Sequence, residues 1–149
     1  MFTFANNRSK PREGYRHHSL RGTISAMTGT RLLFAQVFVL AILFPLVLSG
    51  ISHDYLWGVA WFSATAHFLG GLWVALCAAW GQSMLGLPRD FVLLIAAALA
   101  IGIGWEVFEG VIGATHFPAD TVDTVEDLVM DIVGGTAGAL MMRYIWQRK

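Results

Sequence analysis

The chain has 149 residues, of which 56% are hydrophobic and only 13% are charged, and its mean hydropathy is +0.59. Soluble domains usually carry about a quarter charged residues. This composition therefore excludes an ordinary soluble domain and favours a protein whose apolar surface contacts the lipid bilayer. The net charge is zero, so we expect no nucleic-acid partner. The single cysteine, Cys77, excludes an intramolecular disulfide.

Four segments are long and apolar enough to cross a bilayer as helices, which takes about 20 residues each. The predicted spans are residues 32–50, 56–80, 91–108 and 125–146. We therefore predict an all-α, polytopic membrane protein whose residues 31–149 form a four-transmembrane-helix bundle. An alternative interpretation makes the first span a cleaved signal peptide, but its basic region and apolar stretch are both longer than usual.

The distribution of charge predicts the orientation of the bundle. The ten basic residues lie in the N-terminal segment, the middle connection and the C-terminal end: Arg8, Lys10, Arg12, Arg16, Arg21, Arg31, Arg89, Arg143, Arg148 and Lys149. Cytoplasmic loops carry the excess of Lys and Arg, so we predict that both termini are cytoplasmic (N-in/C-in). Residues 1–30 are predicted to be a basic, disordered cytoplasmic tail.

Ionisable side chains interrupt three of the predicted spans. The second span contains His67, the third contains Glu106 with Glu109 beside it, and the fourth contains Asp127 and Asp131. An Asp at the centre of a span costs about 2.5–3.5 kcal/mol, so such residues usually face a bundle interior and serve a function. Spacings of three and four residues put each pair on one helix face. We predict that these five residues form an outward-facing intramembrane pocket.

Carboxylates together with one imidazole suit a divalent metal. A metal site at His67, Glu106 and Asp131 is therefore one prediction. A different role is open for Asp127, because Thr124 and Asp127 have the spacing of a capping box at the start of the fourth helix.

Glycines accompany the ionisable residues along the same three helices. They are Gly70, Gly71, Gly102, Gly134, Gly135 and Gly138. Small residues let helix backbones approach closely in lipid, so these glycines are predicted to mediate helix packing. Their faces could also dock a second copy of the chain or another membrane protein.

Three ordered motifs give the sequence a family resemblance. They are HFLGG at residues 67–71, GWEVFE at 104–109 and DTVEDLVMDIVGG at 123–135. Together they resemble uncharacterised bacterial inner-membrane proteins of the YjdF type and, more distantly, the VanZ family, although this chain has Asp131 where VanZ-like proteins usually show Asn. The resemblance covers about residues 63–141. It implies a multi-pass protein of the bacterial inner (cytoplasmic) membrane with a cell-envelope function, and it singles out His67, Glu106, Glu109, Asp127, Asp131 and Gly134.

The sequence leaves several functions open. The pocket could bind a cation, or the polar head of a lipid or cell-envelope substrate. The alternatives are a non-enzymatic accessory or assembly subunit, a proton-coupled transporter and a metal-assisted membrane hydrolase. No HExxH, GxSxG or nucleotide-binding motif is present, so an enzyme is not favoured. The cofactor that these residues suggest is a divalent metal.

Overall fold

The computed structural model describes residues 14–53, 55–116 and 118–147, and within them the only regular secondary structure is helical. Its elements are α1 (Gly14–Ser52), α2 (Tyr55–Gly58), α3 (Ala60–Met84), α4 (Phe91–Ile112) and α5 (Thr121–Gln147). Four helices in this part of the chain are long and apolar enough to cross a membrane: Gly29–Ser52, Ala60–Met84, Phe91–Ile112 and Thr121–Ile145. The prediction of a four-helix membrane protein is confirmed, and its orientation stays a prediction.

Helix α1 differs from the expectation of a disordered segment up to residue 30. It begins at Gly14, and residues 15–21 contain no Pro or Gly. Because the apolar span already supplies a helix nucleus, each further residue adds a hydrogen bond without a new nucleation cost. The rest of the predicted tail, residues 1–13, lies outside the described residues.

The other helix boundaries differ from the predictions by a few residues. Helix α3 begins only after Val59, whose extended backbone (φ −135°, ψ 98°) separates it from the single turn of α2. Helix α4 continues to Gly113, which ends it in the left-handed conformation (φ 75°). Helix α5 begins at Thr121, so Thr124 lies within its first turn rather than at the N-cap position. The predicted capping box with Asp127 is therefore wrong, and the Asp127 side chain is buried instead.

Helix α3 is the centre of the bundle and packs against α1, α4 and α5. Residue numbers rise together along the contact between α3 and α5, where Gly71 meets Asp131 and Ala75 meets Gly138. These two helices are therefore parallel. Numbers run in opposite directions between α4 and α5, where Gly102 meets Asp131 and Ala98 meets Gly135. This pair is antiparallel, as successive membrane spans must be.

Glycines allow the close approach of α3 and α5. A Cβ atom at Gly134 would collide with the backbone carbonyl of Phe68, and one at Gly138 would lie 2.8 Å from the Cβ of Ala75. The same holds against α4, where a Cβ at Gly135 would lie 2.8 Å from that of Ala98. Contacts within the chain therefore cover these three glycines, and the docking of a partner through glycine faces stays a prediction.

One end of the bundle is held by an apolar core, while the outer surface is apolar too. The core joins all four long helices through Leu32, Val39, Ala75, Leu76, Ala79, Leu94, Ala139 and Met142. Large side chains such as Phe34, Phe38, Trp61 and Val111 are more than 60% exposed. Exposed apolar area on this scale is expected where the solvent is hydrocarbon rather than water.

The packing of α3 on α5 predicts different effects for two glycine substitutions. Gly134→Ala should destabilise the protein by about 1–3 kcal/mol, because the rigid Phe68 carbonyl must move. Gly104→Ala is the matched control, since a Cβ there meets nothing within 4 Å and Ala favours a helix by about 1 kcal/mol. Unfolding of both variants in mixed micelles measures the difference. Equal stabilities would contradict the described register.

Candidate functional site

His67 lies on the face of α3 that packs against α4 and α5, and only 8% of it is exposed. Ser63 precedes it by one turn on the same face. The Ser63 hydroxyl donates a 2.8 Å hydrogen bond to Oδ2 of Asp127, and Nδ1 of His67 lies 3.1 Å from Oδ2 of Asp131. Two successive turns of α3 therefore pair with two successive turns of the parallel helix α5.

The two ring nitrogens of His67 have different surroundings. Nδ1 contacts the Asp131 carboxyl group, and the tautomer with its proton on Nδ1 would donate a hydrogen bond to it. In the neutral ring, Nε2 then carries a lone pair. It faces Oδ2 of Asp127 at 3.6 Å and Oε1 of Glu106 at 3.8 Å. Both distances are longer than ordinary hydrogen bonds. Nε2, Oδ2 of Asp127 and Oε1 of Glu106 are therefore three neighbouring atoms that can each donate an electron pair to a cation.

Glu106 is buried at the same level of the bundle, with 5% of its surface exposed. In the described part of the chain, its Oε1 atom has no hydrogen-bond partner. A buried polar atom without a partner costs about 1–3 kcal/mol, and more if it is charged. Native proteins usually satisfy such atoms with a protein group, a water molecule or an ion. The Oε1 atom lies 3.8 Å from Nε2 of His67, so a water molecule or an ion between them would satisfy it.

His67, Glu106 and Asp127 each offer one donor atom, and the three atoms lie within 4.8 Å of one another. The structure thus differs from the predicted trio, whose second carboxylate was Asp131. The reason is the axial register of α5, which runs parallel to α3 and antiparallel to α4 with Asp131 against Gly102. Asp127 therefore comes level with Glu106, while Asp131 comes level with Gly102, one turn further along.

Asp131 lies between two glycines. A Cβ at Gly102 would collide with its carboxylate, and a Cβ at Gly71 would collide with its backbone carbonyl. Glycine at position 71 therefore lets the backbone of α5 approach α3, and glycine at position 102 leaves space for the Asp131 carboxylate. At Gly102 the structure differs from the prediction of simple helix packing, since the space is filled by a side chain.

Glu109 lies next to the three converging donors without being one of them. It is buried, and its Oε1 atom accepts a 2.8 Å hydrogen bond from the indole Nε1 of Trp105. Trp105 and Glu109 are four residues apart, which places them on one face of α4. Five residues were predicted to share a pocket. In the structure, Glu106, Asp127 and Asp131 surround the ring of His67, and Glu109 lies beside them.

A cavity of about 190 Å³ lies beside this cluster, between α1, α3 and α4. Its walls are Leu43, Val47, Ala66, His67, Gly70, Val74, Ile101, Gly102, Trp105 and Asp131. Gly70 was predicted to pack against a helix, but a Cβ there would meet nothing within 4 Å. It faces the cavity instead. Glu106 and Asp127 are not among the lining residues, so the His67 ring separates the cavity from the converging donors.

Two residues of the site were missed by the sequence analysis. Ser63 holds Asp127, and Trp105 holds Glu109. The sequence did contain a signal for both. Ser63 lies four residues before His67 on α3, and Trp105 lies four residues before Glu109 on α4, so each pair shares a helix face. Neither is ionisable, and Ser and Trp are common in spans, so residue type alone did not mark them.

On the helices that form the cluster, the nearest Lys or Arg along the chain is Arg143, twelve residues after Asp131. One imidazole faces three carboxylates, those of Glu106, Asp127 and Asp131. The sequence contains no Lys or Arg in residues 32–88 or 90–142, which include α3, α4 and most of α5. Compensation of these acids therefore has to come from protons or from a bound cation.

No family model, curated protein or solved structure matches this chain. The resemblance of its motifs to the YjdF type and to the VanZ family accordingly stays a prediction.

The contacts of His67 predict that its loss is costly. His67→Ala removes the ring that lies between three buried carboxylates, and each buried polar group that loses its partner costs about 1–3 kcal/mol. His116→Ala is the control, because the His116 ring is 77% exposed and lies 3.9 Å from Asp120, a pair worth about 0–1 kcal/mol. Unfolding in detergent compares the variants. A His67 variant as stable as the His116 variant would show that the cluster is not held as described.

Proposed function

We propose that this protein binds a divalent metal ion inside the membrane, through Nε2 of His67 and the carboxylates of Glu106 and Asp127. The observation that carries the proposal is the buried Oε1 atom of Glu106, which has no hydrogen-bond partner among the described residues and faces the lone pair of His67. On the predicted orientation, the site lies in the outer half of the bilayer.

The separations of the donor atoms support this proposal. Two ligands that lie about 2.1 Å from one Zn²⁺ ion at a tetrahedral angle are about 3.4 Å apart. The distances from Nε2 to Asp127 and Glu106 are 3.6 Å and 3.8 Å, within a few tenths of an ångström of that separation. The three donor atoms together lie within 4.8 Å of one another, so the set would have to close further around an ion. A set of one nitrogen and two oxygens suits Zn²⁺ and Mn²⁺.

The position of Asp131 also supports it. Histidines that bind a metal almost always donate their other ring N–H to a carboxylate or a carbonyl, which orients the ring and raises its basicity. Oδ2 of Asp131 lies 3.1 Å from Nδ1 of His67, in the space that Gly102 leaves for the carboxylate. A divalent ion would also offset two of the negative charges that no Lys or Arg on these helices compensates.

Three protein ligands would leave a fourth position of a tetrahedral ion free. Water, or an oxygen atom of a cell-envelope substrate, could take that position. We propose binding as the function, because the sequence contains none of the hydrolase motifs that would assign a base or a nucleophile.

Metal content tests the proposal. Protein purified from cells grown with Zn²⁺ and Mn²⁺, then washed with a weak chelator, should retain about one ion per chain. Glu106→Gln and Asp127→Asn remove a charged donor while keeping the side-chain shape, and each should weaken Zn²⁺ binding at least tenfold. Asp131→Asn should weaken it by about 10–100-fold through the orientation of His67.

Glu126→Gln serves as the matched control for these variants. Glu126 neighbours Asp127 on α5 but is exposed, so the variant loses the same charge at nearly the same depth and should bind Zn²⁺ normally. Wild-type protein that retains neither metal, or equal binding by the Glu126 and Asp127 variants, would contradict the proposal.

A further inference from the structure

The cavity beside His67 opens sideways, toward the position of the lipid. Leu43 and Val47 of α1 form one wall, and Ile101 and Trp105 of α4 form the opposite one. In the described residues, no Cα atom of α1 lies within 8 Å of one of α4. Ile101 lines the cavity and is nevertheless 60% exposed. The wall therefore continues into the outer surface of the bundle, and the gap between α1 and α4 is an entrance.

This entrance lies near the middle of the membrane. Gly70 is ten residues from the first residue of α3, which corresponds to about 15 Å at 1.5 Å per residue. The hydrocarbon layer is about 30 Å thick, so the cavity faces the acyl chains rather than the head groups. The molecules that meet the gap are therefore lipid chains.

The walls suit a hydrocarbon chain. Apart from His67 and Asp131, which contact each other at 3.1 Å, the lining consists of aliphatic residues, glycines and Trp105. An empty apolar cavity forfeits the dispersion contacts of its walls. At about 190 Å³ the space is somewhat larger than the ~150 Å³ apolar cavities that take up benzene, and far smaller than a helix of about 10 Å diameter.

From these features we infer that the cavity binds a segment of one acyl chain of a bilayer phospholipid, which enters between α1 and α4. The bound chain contacts the ring of His67 on the side away from Glu106 and Asp127. A membrane lipid is therefore the class of molecule that this cavity binds. The inference rests on the cavity and its opening, and it holds whether or not a metal is bound.

A photoreactive phospholipid tests the inference in reconstituted vesicles. The probe carries a diazirine near the middle of one acyl chain, and peptide mass spectrometry locates the labelled residues. Val74 on the half-buried back wall should be labelled in the wild-type protein. Phe34, which is 72% exposed, reports the surrounding lipid and serves as the internal reference.

Two glycine variants separate the cavity from the lipid surface. Gly70→Leu should fill the cavity and lower the ratio of Val74 to Phe34 labelling at least fivefold. Gly104→Leu should leave the ratio unchanged, because Gly104 also has open space around it but does not line the cavity. Val47→Phe fills the cavity from α1 and should lower the labelling ratio as Gly70→Leu does. Because it leaves α3 unchanged, it shows that the effect does not come from a folding defect in α3.

An unlabelled Val74 in the wild-type protein, or equal ratios in the Gly70 and Gly104 variants, would overturn the inference. The Zn²⁺ content of Gly70→Leu should equal that of the wild type, and stripping the metal should leave the labelling unchanged. Absence of Val74 labelling would therefore contradict only the lipid inference, and absence of bound Zn²⁺ would contradict only the metal proposal.

Discussion

Buried negative charge around one imidazole ring is the constraint on which the rest of this bundle depends. Carboxylates of Glu106, Asp127 and Asp131 lie within 3.8 Å of the two ring nitrogens of His67. In a medium of low dielectric constant, such charges are stable only if they are paired and hydrogen-bonded. The bundle supplies some of this pairing itself, through His67 and through the hydroxyl of Ser63. Among the described residues, one oxygen of Glu106 has no hydrogen-bond partner, and a bound cation would satisfy it.

The helix packing follows from the same constraint. For α4 and α5 to bring their acids to the His67 ring of α3, α3 and α5 must lie almost in backbone contact, which requires Gly134 and Gly138. Gly71 likewise lets the backbone of Asp131 approach α3, whereas Gly102 provides space for the Asp131 carboxylate. The glycines therefore fall into two groups, one that lets backbones meet and one that admits a carboxylate. In lipid, where apolar burial does not drive helices together, close van der Waals packing of this kind is a main source of association.

Much of this arrangement could be predicted from the sequence, because lipid imposes simple rules. Apolar length gave the four spans, and the cost of ionisable residues in hydrocarbon marked His67, Glu106, Asp127 and Asp131 as interior. The choice between Asp127 and Asp131 could not be made in this way, since both lie on one face of α5. It depends on the axial register of α5 against α4, which is set by contacts between distant residues.

Other features also depend on distant contacts. Gly70 and Gly71 are adjacent, and no local pattern distinguishes the one that lines a cavity from the one that meets Asp131. The gap between α1 and α4 is likewise a property of the whole bundle, because it exists only where two helices fail to touch. The predicted ends of some helices were wrong for a local reason. The extended backbone at Val59 interrupts the helix, but Val59 lies in a continuous apolar run and so gives no signal in the sequence.

X-ray absorption at the zinc edge tests the central claim most directly, because it reports the atoms around the ion itself. The account predicts that the Zn²⁺-loaded protein has only nitrogen and oxygen neighbours at about 2.0–2.2 Å, together with the outer-shell scattering of a single imidazole. This imidazole signal should disappear in His67→Gln. A fully hydrated ion, a bound sulfur, or a spectrum that His67→Gln leaves unchanged would contradict it.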